Sequence, residues 1–197
     1  ITRRTFLKTV AASAPLIISA DALGATSPGA NDVVNVAFIG LGGRCNDIAN
    51  ACLGMKGVRI AAVCDCFRPR VDSALAHLEK NGVQAKGYTD FREMIEKEKL
   101  DGVMVETTTH ARAWIACNAM AMGMDAYIEK PMCLTIAEGR HMVNVARKYK
   151  RVTQVGTQQR SIALNNWASD LVKNGALGKV KEVLAPNFMS PDPWKDQ

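Results

Sequence analysis

The chain has 197 residues, of which 48% are hydrophobic and 22% charged, and its net charge is +6. These values are typical of a soluble globular protein with one domain and part of a second. Three of the positive charges stand near the N-terminus, at Arg3, Arg4 and Lys8, and the other basic residues are spread among acids. Because nucleic-acid binding needs basic residues clustered on one face, the sequence argues against a nucleic-acid partner.

Residues 1–30 form a separate leader. Its paired arginines, Arg3 and Arg4, precede an apolar stretch at 10–20 that is shorter than the about 20 residues needed to span a bilayer. Ala20 and Ala22 supply an Ala-x-Ala cleavage pattern. The leader resembles a twin-arginine export signal followed by a linker, with an ordinary amphipathic helix as the alternative. We therefore expect a periplasmic protein that is exported in the folded state and meets the membrane only during export.

Between residues 31 and 156, apolar segments rich in β-branched residues alternate with segments of helical periodicity. The predicted strands are 33–40, 58–65, a short one near Tyr88, 101–106, 124–129 and 152–156. The predicted helices are 43–53, 69–80, one to Glu98 capped by Asp90, one from His110, and one to Tyr149 that opens with the capping box of Thr135 and Glu138. This alternation predicts right-handed crossovers and a doubly wound parallel sheet, the Rossmann type of α/β fold.

The last part of the chain, residues 157–197, is predicted to begin a second, α+β domain. It contains a helical pattern closed by Gly175 and an apolar run at 179–189 that predicts a new strand. Position 1 is isoleucine rather than methionine, and the chain stops soon after the apolar run. We expect a natural protein that is longer at both ends and that forms a homo-oligomer when it is full length.

The turn after the first predicted strand reads GLGGRC. Gly40 permits a tight turn, Gly42 allows a close approach of the backbone, and the helix from Gly43 presents its N-terminus to an anion such as a pyrophosphate. Arg44 adds a positive charge, whereas Cys45 is larger than the glycine or alanine usual at that position. Because the motif follows a strand and opens a helix, it favours a dinucleotide site over a purely structural turn.

Asp65 ends the second predicted strand, roughly 20 residues after the glycines, where an acid hydrogen-bonds the ribose hydroxyls of a dinucleotide. A carboxylate at this position repels a 2′-phosphate, so NAD is predicted over NADP. Arg68 and Arg70 follow closely in the sequence. An arginine can accept that phosphate, which leaves NADP as the alternative.

The segment AYIEKPM ends an apolar strand abruptly in Glu129 and Lys130, and Pro131 follows. In a sheet whose first turn binds a dinucleotide, the tip of the fifth strand lies near the nicotinamide end. A lysine there can polarise or protonate an oxygen during hydride transfer, and the glutamate can orient it. The alternative is a strand that simply reaches solvent.

Together, the six strands, the glycine motif, Asp65 and the Glu-Lys-Pro segment resemble the Gfo/Idh/MocA (glucose-fructose oxidoreductase/inositol dehydrogenase) family over residues 33–190. The resemblance implies that Lys130 is the catalytic residue and that it contacts cofactor or substrate, with Glu129 also at the cofactor. It also makes Thr107 and His110 expected cofactor contacts, because they match a threonine of the family and the first histidine of a His-Trp-His pattern in exported members.

Three residues beside these matches depart from the family pattern, namely Thr108, Thr109 and Arg112. Further along the chain, the segment QVGTQQRS also resembles a family segment and leads toward the substrate side. Gln158 and Arg160 are therefore predicted substrate contacts, with a solvated loop as the alternative.

The resemblance implies an exported NAD(P)-dependent oxidoreductase that moves hydride between nicotinamide and a carbon of a sugar or polyol. One alternative is an NAD-dependent glycosidase resembling glycoside hydrolase family 109, which oxidises the sugar transiently and then returns the hydride. The other is a non-catalytic dinucleotide-binding protein, which the departures at Thr108, Thr109 and Arg112 suggest. The family usually supplies further acid–base residues from its second domain.

The six cysteines fall within predicted apolar helices and strands, so all six are predicted to be small buried hydrophobic residues. Cys64 and Cys66 are too close together for a zinc knuckle, and no second pair matches them, so no metal site is predicted. His77 and His141 stand among charged residues and are expected at the surface.

Overall fold

The computed structural model describes residues 32–184. The predicted export leader, residues 1–30, lies outside them, as do the last five residues of the strand predicted at 179–189. The chain divides into two compact units at the bond between Gly156 and Thr157.

The first unit contains a six-stranded, wholly parallel sheet with the strand order β3-β2-β1-β4-β5-β6. The order reverses beside β1, which is the mark of a doubly wound sheet. The predicted Rossmann fold is confirmed. The strands are β1 (Val34–Ile39), β2 (Val58–Cys64), β3 (Lys86–Tyr88), β4 (Gly102–Val105), β5 (Asp125–Glu129) and β6 (Thr153–Gly156).

Helices connect the parallel strands of the first unit, as right-handed crossovers require. Two helix starts agree with their sequence signals: the Asp90 side chain accepts a hydrogen bond from the Arg92 amide, and Thr135 and Glu138 form the predicted capping box. The helices are α1 (Gly43–Cys52), α2 (Arg68–Lys80), α3 (Phe91–Lys97), α4 (Thr109–Ala121) and α5 (Ile136–Tyr149).

Apolar side chains cover both faces of the sheet, because successive residues of a strand point to opposite sides. Phe38 of β1 packs on one face with Val71 of α2, whereas Ile39 packs on the other with Met94 of α3 and Met120 of α4. Phe38, Val71, Met94 and Met120 are fully buried. A sheet covered in this way exposes its polar backbone only at the strand ends, so those ends are where a ligand can be held.

The second unit is described from Thr157 to residue 184. It contains a 3₁₀-helix (Gln158–Ser161) and helix α6 (Ala163–Lys173), followed by Gly175 with a positive φ of 78°. The strand predicted from residue 179 is wrong within 179–184, which form no strand. A strand requires a hydrogen-bonded neighbour, and residues 32–184 provide none for this segment.

The cysteine prediction is only partly right. Cys45, Cys52 and Cys64 are buried, but Cys66 is exposed, because it follows β2 at the open end of the sheet. Cys117 and Cys133 are half-buried. Separately, no helix within residues 32–184 has both the length and the apolar character to cross a membrane.

Candidate active site

A cavity of about 720 Å³ opens at the carboxyl end of the sheet. This volume is within the range of sites that bind small molecules and cofactors. Its lining residues follow four adjacent strands and include Gly40, Gly42, Arg44, Asp65, Arg70, Thr89, Phe91, Arg92, Glu106, Thr107, His110 and Trp114.

The turn after β1 is possible only with glycine. Gly40 has a φ of +92°, which L side chains rarely adopt. A Cβ atom at Gly40 would lie 2.6 Å from the backbone nitrogen of Thr107 and 2.8 Å from its Cα. Thr107 therefore packs directly on the glycine turn, and this contact joins the ends of β1 and β4.

The N-terminus of α1 is open toward the cavity. Its N-cap is Gly42, no side chain of the described residues caps the helix, and no acid stands in its first turn. A Cβ atom at Gly42 or Gly43 would meet no atom of residues 32–184 within 4 Å. The first amides of a helix need acceptors, and the helix dipole favours an anion. The turn and helix therefore fit a pyrophosphate, as the sequence predicts.

Asp65 lies at the end of β2, is only 7% exposed, and is held in place by backbone amides. Its Oδ2 accepts a hydrogen bond from the Leu41 amide at 2.8 Å, and its Oδ1 accepts one from the Phe67 amide at 2.9 Å. Each carboxylate oxygen can accept more than one hydrogen bond, so both remain able to accept from ribose hydroxyls.

The two arginines after Asp65 differ in position. Arg70 lines the cavity, and its guanidinium lies 3.8 Å from Asp65 Oδ2. Arg68 instead pairs with Asp72, one helical turn along α2, at 2.9 Å. Arg70 is therefore the arginine placed to meet a phosphate beside Asp65.

Glu129, at the end of β5, is 3% exposed and forms a hydrogen bond with Arg44 of α1. Arg44 Nε donates to Glu129 Oε2 at 3.1 Å, and this bond raises the pKa of Arg44 above its ordinary value. A Cβ atom at Gly156 would lie 2.7 Å from the same oxygen. The Glu129 carboxylate is thus enclosed, and Arg44, although it lines the cavity, is held by a buried acid.

Lys130 follows Glu129 directly, and its side chain is exposed. The peptide bond to Pro131 is cis, and the Pro131 carbonyl accepts a hydrogen bond from Arg112 at 2.7 Å. Arg112 is itself buried, at 8% exposure. The residue that departs from the family's histidine pattern therefore supports the backbone next to the predicted catalytic lysine.

Glu106, which sequence reasoning did not single out, lies in the cavity wall at the end of β4. It is 7% exposed, and within residues 32–184 neither of its carboxyl oxygens has a hydrogen-bond partner. Burial, and after it the charge of Glu129, raise its pKa to about 7, against the opposing effects of Arg44 and Arg112. The signal was present in the sequence, because an apolar strand ends in a carboxylate here as it does at Glu129.

The remaining wall of the cavity comes from α3 and α4. The Trp114 ring packs edge-on against Phe91 with ring centroids 5.3 Å apart, and the Arg92 guanidinium lies 6.0 Å from the Trp114 ring. His110 is exposed, and its Nδ1 lies 3.1 Å from Thr108 Oγ1. The buried Oγ1 of Thr107 has no partner within the described residues.

The structure brings the predicted cofactor residues together at one end of the sheet. The glycine turn, Arg44, Asp65, Thr107 and His110 line the cavity. Glu129 ends the adjacent strand β5 and Lys130 follows it, and neither of them is among the residues that line the cavity. Gln158 and Arg160 lie in the 3₁₀-helix of the second unit, half-buried and exposed respectively. His77 and His141 are exposed, as expected.

A glycine turn, an uncapped helix N-terminus and a buried acid at the end of β2, all around one cavity, define a dinucleotide-binding Rossmann domain. Residues 34–157 match the sequence profile of the Gfo/Idh/MocA oxidoreductase family, which is described by its NAD-binding Rossmann fold. The chain belongs to this family, and its cofactor is NAD.

Named relatives fall into two groups. The glycosyl hydrolase family 109 protein of Shewanella sp. is 31% identical over 125 residues, and the α-N-acetylgalactosaminidase of Shewanella oneidensis is 28% identical. Among solved structures, the myo-inositol 2-dehydrogenase of Lactobacillus plantarum is similar with a TM-score of 0.68 and 26% identity. These matches cover 61% and 75% of this chain respectively, but only 27% of the Shewanella proteins and 43% of the dehydrogenase.

Proposed function

We propose that the complete protein is an NAD-dependent oxidoreductase that transfers hydride between nicotinamide and a carbon of a sugar or polyol. The observation that carries the proposal is the exposed Lys130 directly after β5, the strand next to β4, whose following residues Glu106 and Thr107 line the cavity of an NAD-binding domain. The substrate class is supported by the names of the relatives, which include inositol dehydrogenases and an α-N-acetylgalactosaminidase.

The described residues would hold the parts of NAD in the order in which their strands lie in the sheet. The open amides of α1 and the space above Gly42 would hold the pyrophosphate, and Asp65 would hold the adenosine ribose. Bound NAD supplies the hydride acceptor. The rest of the cofactor then extends from β1 toward β4 and β5, because Asp65 fixes the adenosine half on the side of β2.

Lys130 would act on the reacting oxygen of the substrate. An ammonium group donates hydrogen bonds and carries a positive charge, so it stabilises negative charge that develops on that oxygen during hydride transfer. The Arg112 bond to the Pro131 carbonyl holds the adjacent backbone, and the enclosed Glu129 holds the strand end. Gln158 and Arg160 remain proposed substrate contacts.

A second candidate is an NAD-dependent glycosidase, and the Shewanella relatives favour it. Such an enzyme would use the same NAD site to oxidise a sugar carbon and would then return the hydride after the aglycone has left. The two activities would therefore share the NAD site. They differ in whether reduced cofactor leaves the protein.

The test is to supply the complete, NAD-loaded protein with free sugars and polyols and, separately, with aryl α-N-acetylgalactosaminides. An oxidoreductase accumulates NADH in proportion to oxidised sugar when NAD is in excess. A glycosidase releases the aglycone without net NADH. Binding of NAD with neither activity across the panel would favour the non-catalytic alternative.

We also propose that the protein is exported to the periplasm through the twin-arginine route and forms a homo-oligomer. Export is supported by Arg3 and Arg4 ahead of the apolar stretch and by Ala20 and Ala22, all of which lie outside the described residues. Replacing both arginines with lysine should keep the protein in the cytoplasm, as measured by cell fractionation. Lys8→Gln is the matched control, because it removes a charge and leaves the arginine pair intact. Undiminished export of the double variant contradicts the proposal.

A further inference from the structure

Glu106 is a buried acid in the cavity wall with nothing to pair with among residues 32–184. Its residue exposure is 7%, and both carboxyl oxygens lack a hydrogen-bond partner. An unpaired buried carboxyl group costs free energy, so buried polar groups without partners are rare in native proteins. Because Glu106 lines the cavity, a ligand that enters the cavity can supply the missing interaction.

The charges around Glu106 come from three elements. Arg44 and Cys45 of α1, Arg112 of α4, and Tyr127 and Glu129 of β5 interact with it electrostatically. Burial raises the pKa of Cys45 to about 12 and also raises that of Tyr127 above its ordinary value of 10.0. Neither group therefore changes charge near neutral pH, where Glu106, with a pKa of about 7, does.

The strand order indicates which half of the cofactor meets Glu106. Asp65 at the end of β2 receives the adenosine ribose, and the glycine turn after β1 receives the pyrophosphate. The next strands along the sheet are β4, which Glu106 follows directly, and β5, which Lys130 follows directly. The nicotinamide half therefore lies on the side of the site where Glu106 stands.

We propose that Glu106 makes this site discriminate between the oxidised and the reduced forms of the cofactor. Its ionised carboxylate attracts the positively charged oxidised nicotinamide ring and gains nothing from the neutral reduced ring. Protonation of the carboxyl group removes this difference. The inference depends on the NAD-binding domain and is independent of the substrate class proposed above.

The direction of the pH dependence follows from this charge difference. The oxidised ring lowers the pKa of Glu106 in its complex relative to the complex with the reduced ring. The ratio of the two affinities, NAD⁺ over NADH, therefore rises as pH increases through the neutral range. The pyrophosphate and the adenosine are the same in both cofactors, so their effects cancel in this ratio.

The experiment measures the dissociation constants of NAD⁺ and NADH for the complete protein between pH 6 and pH 9 by calorimetric titration. We expect the affinity ratio to rise about tenfold, the change that one unit of pKa difference produces. Glu106→Gln keeps the size of the side chain and removes the charge, so its ratio should stay constant within about twofold. ADP-ribose, which has no nicotinamide, should still bind the Gln variant and thereby verify that the site is folded.

Two outcomes would overturn the proposal. One is a ratio in the parent protein that does not change with pH. The other is an equal rise in Glu106→Gln, which would assign the pH dependence to another group.

A second variant keeps the test decisive if Glu106→Gln does not fold. Arg112 lowers the pKa of Glu106. Arg112→Gln should therefore move the midpoint of the affinity ratio to higher pH, whereas Arg112→Lys, which keeps the charge, should leave it in place. A midpoint that does not move in Arg112→Gln also overturns the proposal.

Discussion

Two acids at the carboxyl end of the sheet are equally buried but differently supported. Asp65 and Glu106 are each 7% exposed. Asp65 accepts two backbone hydrogen bonds, whereas Glu106 accepts none from the described residues. The adenosine side of the site is therefore fixed by the fold before any ligand binds. The nicotinamide side contains a carboxyl group whose charge state depends on what enters the cavity.

The largest effect on activity should come from substituting Lys130, on the nicotinamide side of the site. Lys130→Met should lower kcat by roughly 10²–10³-fold, the size observed when one preorganised donor to a developing charge is removed. NAD affinity should fall far less, because the glycine turn and Asp65 remain intact. Steady-state kinetics and cofactor titration on the complete protein measure both.

Lys99→Met is the matched control for this variant. Lys99 is also exposed, but it precedes β4 and therefore lies at the amino end of the strands, opposite to the cavity. The Lys99→Met variant should keep the kcat of the parent protein. Unchanged kcat in Lys130→Met would mean that the Glu-Lys-Pro segment is only a strand end that reaches solvent.

Substitutions at Gly40 and Gly42, which follow the strand between those of Asp65 and Glu106, should affect folding and binding separately. Gly40→Ala places a Cβ atom 2.6 Å from the Thr107 backbone at a φ of +92°, and should destabilise the protein by about 3 kcal/mol. The Cβ atom of Gly42→Ala meets no atom of the described part of the chain within 4 Å, so this variant should change stability by less than about 0.5 kcal/mol while weakening NAD binding. Urea denaturation and NAD titration test the pair, and equal stability losses would contradict the assignment.

Glu106 should make stability depend on pH in a direction opposite to that of a paired acid. Its pKa is about 7 in the folded protein and 4.5 ordinarily, so between these values only the folded state holds the proton. The contribution of Glu106 to the free energy of unfolding is fully present below pH 4.5. It is lost as the pH rises to 7, so the free energy of unfolding falls by about 2–3 kcal/mol. Denaturation at pH 5 and pH 8 should show this loss in the parent protein relative to Glu106→Gln. An equal pH dependence in both would contradict the raised pKa.

The smallest effect is expected at Asp65. Asp65→Asn removes the charge that repels a 2′-phosphate, so NADP affinity relative to NAD should rise about tenfold. Adding Arg70→Ala to this variant should reduce the gain, because Arg70 lies 3.8 Å from the Asp65 carboxylate. Adding Arg68→Ala to Asp65→Asn should leave the gain in NADP affinity unchanged, because Arg68 pairs with Asp72. Dissociation constants for both cofactors test this, and an unchanged preference in Asp65→Asn would contradict the role of Asp65.

The fold was predictable because its signals are local. Strand periodicity, the glycine turn and the Thr135–Glu138 capping box each depend on a few adjacent residues. The pairing of Glu129 with Arg44 was not predictable, because it joins residues 85 positions apart through the packing of α1 on the sheet. The buried state of Arg112 was missed for the same reason, since its partner is the Pro131 carbonyl on another segment. Residues 179–184 form no strand, because local propensity alone does not supply the neighbouring strand that pairing requires.

The Arg44–Glu129 hydrogen bond has a consequence for how the protein is made. Arg44 lies in the helix that follows β1, and Glu129 ends β5. In the sheet, β4 lies between these two strands. The contact therefore forms only after β4 and β5 have both joined the sheet, and contacts of such long sequence separation form late and slowly. Gly156 packs on the same carboxylate. A growing chain should therefore acquire a complete cofactor site only once β6 has left the ribosome, and refolding protein should regain its helices before it regains NAD binding.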